Sequence, residues 1–478
     1  MQRPSCAILI CLCAAAAGGG CRRQPPPTPP TVTKPVVPPL VVACADPLAA
    51  AGFVGRAGGW AASQGRTAAV GPEDAADLII VRPQEVGRLA VAGLAAPLPA
   101  DLKAAGHPLQ WSRILPGYRG LSTWAGETVA VPLAGDSLLV AYRADLFDDP
   151  AHQAGFQSKF NRSLLPPATW EELADVAAYF AEVTKKPSLP AAPADADRLL
   201  AEFHAIAACA DRQALVDAEL KGKEPPAGGF HTDPAGGHRL GTPGFRAAAE
   251  WLASVATFRG PEADPATALT TGTAAVAVVT LAEVGRLPKG PDGVADPRVR
   301  VLPPPGRRTF FPGGKPATAG GRGGNYVPFL GAGGWVAVVN PKRPDPSLAW
   351  GLLTELAGPA AASARVSDPG PGAGPVRAEI GSAGGWARYA FDPARNADLA
   401  AAVRQFLGVE VVNPAVTLRT PDAAERLREL AEAVRQAATG KATGEVAMRQ
   451  AVAAWDRRDT ATLPDELKRW RRNAAGLP

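Results

Sequence analysis

Short apolar runs alternate with stretches of helical spacing at the start of the folded part of the chain. PLVVACADP (39–47) and DLIIVRPQ (77–84) are β-branched runs that end at or just before a proline-containing turn. An Ala- and Gly-rich stretch around Trp60 lies between them, and EVGRLAVAGL (85–94) follows; both have roughly helical spacing. The order strand, helix, strand, helix predicts a parallel sheet covered by helices, and therefore an α/β fold.

Polar side chains stand where these two predicted strands end. Asp46 follows the first run, and Arg82 and Gln84 follow the second. Ligands of open α/β sheets bind beyond the carboxyl ends of the strands, so all three are candidate ligand-binding residues. Each also has a structural explanation, because Asp-Pro is a common start of a turn and Arg82 and Gln84 could lie in a solvated loop.

The size and charge of the chain limit the classes of function. Its 478 residues, of which 46% are apolar and 20% charged, are enough for two hydrophobic cores, so one domain is not expected. The net charge is +5, and 50 basic residues are interleaved with 45 acidic ones. A nucleic-acid partner is not expected, because phosphate binding requires a concentrated basic stripe.

The N-terminal residues predict export. Residues 1–20 combine an arginine, the apolar run AILICLCAAAA and three glycines, which is typical of a signal peptide. Cys21 follows directly and resembles the lipid-bearing cysteine of a bacterial lipoprotein; an ordinary secreted protein or a simple N-terminal anchor is the alternative. Residues 21–39 are rich in proline and predict an extended tether. We therefore expect a periplasmic or cell-surface protein, held at a membrane by lipid on Cys21.

Two cysteines remain in the body of the chain, Cys44 and Cys209. They could form a disulfide in an oxidising compartment. Because Cys44 lies in an apolar strand and Cys209 in an apolar helix, two separate buried thiols are favoured.

The stretch VAVPLAGDSLLVAYRADLF (129–147) places Asp136 between two apolar runs that each predict a buried strand. PPATWEELADVAAYF (166–180) follows about twenty residues later. In this segment Thr169 can cap a helix and Glu172 can complete a capping box, while the two prolines prevent an earlier start.

Together with DLIIVRPQEVGRLAVAGLAAPL (77–98), these segments resemble the extracellular solute-binding proteins of ABC importers, specifically their carbohydrate-binding family. The resemblance covers about residues 40–457. Its later segments are GFRAAAEWLASV (244–255), TTGTAAVAVVTLAEV (270–284), VRVLPPPG (299–306) and GAGGWVAVVNPKRPDPSLAWGLLTEL (331–356).

The resemblance implies a two-lobed periplasmic-binding-protein-like α/β fold with crossing strands and a ligand cleft between the lobes. Lobe one would hold residues 40–137 and 303–357, and lobe two residues 138–302 and 358–478. The protein would be a monomer without a cofactor that binds a polar solute, such as a sugar, and delivers it to an ABC permease. The alternative is an exported lipoprotein of the same fold that acts as a sensor or scaffold.

The resemblance also selects site residues. Asp136 stands where maltose-binding members of the family have a sugar-contacting glutamate, and a carboxylate that accepts hydroxyl hydrogen bonds suits that role. Its alternative is a structural aspartate that binds a backbone turn or an arginine. Trp335 is the first candidate for a stacking residue, followed by Tyr326 and Phe329, with core packing as the alternative for Trp335. Glu283 could face the cleft, although a solvated or salt-bridged role is favoured.

The chain departs from the family at two aromatic positions. Ala282 and Val81 stand where maltose binders have aromatic side chains. A maltodextrin is therefore not the expected ligand.

Metal and catalytic chemistry have weak support in the sequence. His231 and His238 have metal-like spacing, but a turn signal separates them and no third ligand follows. No G-x-S-x-G or H-E-x-x-H motif is present. We expect neither a metal site nor enzymatic activity.

Overall fold

The part of the chain that can be described begins just before the first strand. The computed structural model describes residues 38–44, 46–136, 138–215, 229–233, 237–367, 374–377, 386, 389–407 and 411–478. The predicted signal peptide, Cys21 and nearly all of the predicted tether lie outside the described residues.

Strands and helices alternate along most of the described chain. The strands are β1 Leu40–Cys44, β2 Ala68–Val70, β3 Leu78–Val81, β4 Thr123–Trp124, β5 Glu127–Thr128, β6 Val131–Ala134, β7 Leu138–Arg143, β8 Val276–Thr280, β9 Val299–Leu302, β10 Thr309–Phe310, β11 Ala317–Thr318, β12 Phe329–Leu330, β13 Trp335–Val339 and β14 Ala415–Val416.

Many helices begin with proline, whose fixed φ suits the first helical turn and whose missing N–H is not needed there. The α-helices are α1 Pro47–Ser63, α2 Val86–Val91, α3 Pro116–Leu121, α4 Ala144–Asp148, α5 Pro150–Phe160, α6 Trp170–Thr184, α7 Ala196–Asp211, α8 Pro243–Val255, α9 Pro265–Thr271, α10 Leu281–Gly285, α11 Pro346–Ala357, α12 Pro359–Ser367, α13 Pro393–Phe406, α14 Ala423–Ala438, α15 Gly444–Ala461 and α16 Pro464–Ala474. Short 3-10 helices span Glu73–Ala75, Pro83–Glu85, Asp101–Lys103, Trp111–Arg113, Ala256–Phe258 and Pro312–Gly314.

The larger sheet has five strands in the order β2-β1-β3-β13-β6. Strands β1, β2 and β3 are parallel, whereas β13 is antiparallel to both of its neighbours. Along β3, Leu78 and Ile80 pack in one hydrophobic cluster and Ile79 and Val81 in another. Alternate side chains of a strand point to opposite faces, so both faces of this sheet are covered, as a parallel βα arrangement requires.

The second sheet has three strands in the order β8-β7-β9, with β7 antiparallel to both neighbours. Strand β6 belongs to the first sheet and β7 to the second, and only residues 135–137 separate them. Asp136 therefore lies at the point where the chain crosses from one sheet to the other.

Helix α6 begins where the sequence predicts, although its capping differs from the prediction. The Thr169 hydroxyl accepts a hydrogen bond from the Glu172 N–H at 3.2 Å. The Glu172 carboxylate reaches the N–H of Ala168 (2.9 Å), one residue before the position that a capping box requires. Thr169 is thus confirmed as the N-cap, and the reciprocal bond is displaced by one residue.

Three other properties bear on the sequence predictions. Cys44 is half-buried and Cys209 is buried, and both are free thiols. Among the described helices, none has the length and apolar character needed to cross a membrane. The described residues also contain no group of three or more His, Cys, Asp or Glu side chains placed to hold a metal ion.

Helix capping gives a stability prediction at Thr443, an exposed N-cap whose side chain accepts from the Val446 N–H. We expect Thr443→Ala to lower the free energy of unfolding by about 1 kcal/mol, because the helix loses one satisfied N–H. Thr443→Ser keeps the acceptor and should stay within about 0.5 kcal/mol of the wild type. Urea denaturation would measure both variants; equal losses would contradict a capping role.

Candidate functional site

A cavity of about 470 Å³ lies where elements of the two sheets meet. Its volume is within the range of about 300–1,000 Å³ that is typical of small-molecule sites. Helix α7 and its N-cap contribute residues from the first three turns, and the remaining lining comes from the ends of strands, from α10 and from the end of α13. The lining residues are Arg82, Gly135, Asp136, Leu138, Asp195, Asp197, Arg198, Ala201, Ala205, Thr280, Ala282, Glu283, Arg286, Phe329, Ala332, Gly333 and Phe406.

Asp136 lines this cavity, but its carboxylate is already engaged by the protein. The Gly331 N–H donates to Oδ2 and the Gly333 N–H to Oδ1, each at 2.6 Å. The Tyr118 hydroxyl donates to Oδ2 at 3.3 Å and accepts from the Asp136 N–H at 2.8 Å. Asp136 is only 6% exposed. Burial raises its pKa, and the hydrogen bonds from Gly331, Gly333 and Tyr118 oppose that rise.

These contacts make Asp136 a clamp that fixes the turn before β13 against the end of β6. Gly331 has φ +95°, and a Cβ there would lie 2.8 Å from the Thr417 side chain, so the turn requires glycine. The contacts of Asp136 fit the structural alternative considered from the sequence. Its contact with a solute stays a prediction.

Arg82 connects several parts of the cavity wall. Its guanidinium donates to the carbonyl of Gly333 at 2.6 Å and lies 3.9 Å from the centre of the Trp335 ring. It also faces two carboxylates, Asp46 at 3.8 Å and Asp197 at 3.9 Å. Since Asp197 belongs to α7 and Arg82 follows β3, the longer of these ion pairs joins the five-stranded sheet to the opposite side of the cavity.

Arg198 and Glu283 form a second charged pair on the wall. The Arg198 Nε lies 3.4 Å from the Glu283 carboxylate, and Nη2 donates to the Val278 carbonyl at 2.7 Å. Glu283 also completes a capping box with Thr280 at the start of α10. Glu283 is thus salt-bridged and also lines the cavity, and its contact with a solute stays a prediction. The remaining Arg198 nitrogen, Nη1, is buried and makes no hydrogen bond within the described part of the chain.

The first turn of α7 brings two aspartates to the cavity. Asp195 is the N-cap and accepts from the Arg198 N–H at 2.7 Å. Asp197 is two residues further on, and the pKa of its carboxyl is raised by burial and by the neighbouring charges of Asp195 and Glu85, while Arg82 opposes the rise. Asp197 is thus a partly buried carboxylate that faces open space.

Two of the three aromatic candidates, Trp335 and Tyr326, lie behind the wall rather than on it. Trp335 is 2% exposed and packs between Arg82 and Phe53, whose ring centre is 6.4 Å away. The Tyr326 hydroxyl donates to the Phe406 carbonyl at 3.0 Å, and burial raises its pKa well above the usual range. Neither residue lines the cavity; Phe329 and Phe406 do. Core packing, the alternative for Trp335, is the arrangement that the structure describes.

Gln84 and Asp46 also lie off the main wall. Gln84 borders a separate void of about 10 Å³ next to Asp197 and His204. Asp46 contributes through its ion pair with Arg82. Of the residues considered from the sequence, the cavity therefore brings together Arg82, Asp136, Glu283 and Phe329.

The sequence reasoning missed four lining residues of chemical interest: Asp195, Asp197, Arg198 and Phe406. The first three lie in PADADR (193–198), where a proline precedes a cluster of charges at the start of an apolar helix. This cluster of charges at a helix start is the sequence signal that could have identified these three residues. Phe406 has no comparable signal, because only tertiary packing brings the end of α13 to this wall.

The two histidines with metal-like spacing do not meet. His231 faces His204, with 2.9 Å between their Nε2 atoms, and burial lowers the pKa of His231 to about 3. His238 instead pairs with Asp456 at 3.0 Å.

Comparison with known proteins identifies the class. Residues 56–397 match the family model described as a bacterial extracellular solute-binding protein, and the chain belongs to this family. The resemblance found in the sequence is thereby confirmed.

Two solved structures confirm the predicted two-lobed fold. Maltose-bound MalE3 of T. maritima superposes with a TM-score of 0.59 at 17% identity, covering 88% of this chain and 99% of that one. The cyclic α-maltosyl-1,6-maltose binding protein of Arthrobacter globiformis gives 0.57 at 16% identity, covering 87% and 97%. No curated protein sequence matches the chain.

The clamp at Asp136 predicts a large loss of stability in Asp136→Asn. Backbone N–H groups approach both carboxylate oxygens, so either orientation of the amide places its NH₂ against a donor. We expect the free energy of unfolding to fall by about 3 kcal/mol, since a charge-assisted bond is lost and a buried donor is left unsatisfied.

Chemical denaturation would measure this loss. Asp345→Asn is the control, because Asp345 is an exposed N-cap and asparagine caps a helix about equally well. Equal stability of the Asp136 and Asp345 variants would contradict the clamp.

Proposed function

We propose that this protein binds a small polar solute of the carbohydrate type in the cavity and delivers it to an ABC permease. The observation that carries the proposal is the cavity itself, which lies at the crossing between the two sheets and presents both carboxylates and guanidinium groups. Membership of the solute-binding family supports the same function. The two similar structures are described as binding maltose and a cyclic maltosyl-maltose.

The polar groups on the wall suit a ligand with many hydroxyls. A hydroxyl can donate to Asp197, and the buried Nη1 of Arg198 would become a donor if that side chain turned toward the solute; hydrogen bonds to charged groups are the stronger kind. Phe329 and Phe406 add a small apolar surface. Because the described lining holds no Trp or Tyr ring for stacking, a small sugar suits this cavity better than a long oligosaccharide.

We propose that binding works through closure of two lobes. Lobe one would comprise residues 40–137 and 303–357, and lobe two residues 138–302 and 358–478. A solute that contacts Arg82 from one side and α7 from the other gains interactions only when both sides are close, so it shifts the open-closed equilibrium toward the closed form. The permease would then recognise that form. A sensor or scaffold would show the same binding without uptake.

Filling the cavity should abolish binding while leaving the fold intact. Ala201 lines the cavity from α7, so the ring of Ala201→Phe would occupy the space of the solute. We expect a binding sugar to raise the melting temperature and reduce the radius of gyration of the wild type, and to do neither in Ala201→Phe. The control is Ala424→Phe, at an exposed position of α14.

Thermal shift and solution scattering with a panel of mono- and disaccharides and polyols would make this test. If no compound changes the wild type, the proposed function fails. If the compounds act equally on Ala201→Phe, the cavity is not the binding site.

We also propose that lipid on Cys21 anchors the exported protein to a membrane. Cys21→Ser removes the thiol that would carry the lipid, so the protein should move from the membrane fraction to the soluble exported fraction. Cys44→Ser is the matched control and should stay with the membrane. Fractionation and mass analysis of the N-terminal peptide would measure the change, and an unchanged distribution of Cys21→Ser would contradict lipid anchoring.

A further inference from the structure

We propose that the solute carries a positively charged amino group beside its hydroxyls, as an amino sugar does. This inference rests on the proposed function, since it names the chemical class that the same cavity selects. It follows from how the charges on the wall are paired.

Two of the three arginines on the wall are neutralised by partners of their own. Arg198 pairs with Glu283 at 3.4 Å, and Arg286 pairs with Asp264 at 3.0 Å. Only Arg82 is left to balance the other acidic groups. Its strongest hydrogen bond goes to a carbonyl, that of Gly333, at 2.6 Å.

The acidic groups that remain outnumber Arg82. Asp136, Asp195 and Asp197 all line the cavity. Asp46 lies 3.8 Å from Arg82 and is not part of the lining. The charge of Asp136 is stabilised by main-chain donors. Asp195 and Asp197 lie at the cavity without a cation within hydrogen-bonding distance among the described residues.

Helix capping explains one of these two aspartates but not the other. The Asp195 carboxylate accepts from the Arg198 N–H, which is the ordinary task of an N-cap. The Asp197 carboxylate makes no hydrogen bond to any described residue, and its nearest cation, Arg82, is 3.9 Å away. A partly buried carboxylate with unused acceptors favours a donor that brings a positive charge.

The neighbouring residue supplies the complementary group. Arg198 lines the same cavity, and its Nη1, which has no partner within the described ranges, would donate to a hydroxyl oxygen once the side chain turns toward the solute. An ammonium group for Asp197 and a hydroxyl for Arg198 are both present on an amino sugar. An anionic sugar would instead place its charge beside Asp195 and Asp197.

Sugars that share a ring and carry different charges test the inference. Glucose, glucosamine, N-acetylglucosamine and glucuronate share the same single ring. Cellobiose and its diamino counterpart form the matching pair for a solute of two rings. Calorimetric titration of the full chain at mildly acidic pH, where the amines are protonated, gives their affinities. We expect the protonated amines to bind at least about tenfold more tightly than the neutral sugars and the acetylated sugar, and glucuronate to bind most weakly.

Substitution at Asp197 assigns the preference to one carboxylate. Asp197→Asn should bring the ratio of amino-sugar to neutral-sugar affinity close to one, because it weakens amino-sugar binding much more than neutral-sugar binding. Asp345→Asn removes the same charge from a helix start away from the cavity and should leave the ratio unchanged. Added salt should reduce the wild-type preference, because the paired charges are only partly buried.

The outcomes separate this inference from the proposed function. Neutral sugars that bind as tightly as the amines would overturn the inference and leave the proposed function standing. A preference that survives Asp197→Asn would overturn the role of Asp197. If no sugar of either series binds, both the inference and the proposed function fail.

Discussion

The carboxylate of Asp136 holds together the part of the molecule on which the cavity depends. At this residue the chain leaves the five-stranded sheet and enters the three-stranded one. Two main-chain N–H groups donate to the carboxylate at 2.6 Å, so the turn at Gly331–Gly333 is fixed against the crossing. The Gly333 carbonyl in turn positions Arg82. A buried charge is tolerated here because several donors solvate it in place of water.

The charges around the cavity divide into those with structural partners and those without. Arg198 and Glu283 are paired, and Glu283 also caps a helix. Asp197 and the buried Nη1 of Arg198 have no hydrogen bond within the described chain. Nη1 is buried, whereas the Asp197 side chain is partly exposed and has Arg82 as its nearest cation at 3.9 Å, so a ligand that pairs with Asp197 replaces water there. The binding energy of this protein is therefore expected to come from polar complementarity more than from aromatic stacking.

Prediction from the sequence succeeded where local pattern decides the outcome. The alternating apolar runs identified β1, β3 and their parallel pairing, and the Thr169 cap was placed correctly. The resemblance supplied the two-lobed fold, which the similar structures confirm. Prediction was weaker for side-chain roles. Trp335 had equal claims to a ligand wall and to the core, and its environment of Arg82 and Phe53 comes from elements distant in sequence.

The sequence by itself determined several of the strands and helices, the Thr169 cap, and that a carboxylate lies between two buried strands. These properties depend on near neighbours and on the period of apolar residues. Only the tertiary structure decided what that carboxylate contacts. Its two main-chain donors, Gly331 and Gly333, are 195 and 197 residues away along the chain. Asp197, which the sequence places in a charged helix start without assigning it to a ligand, faces the cavity because α7 packs across from Arg82. Contacts over such distances follow from how the elements pack, and the pattern within each element does not specify them.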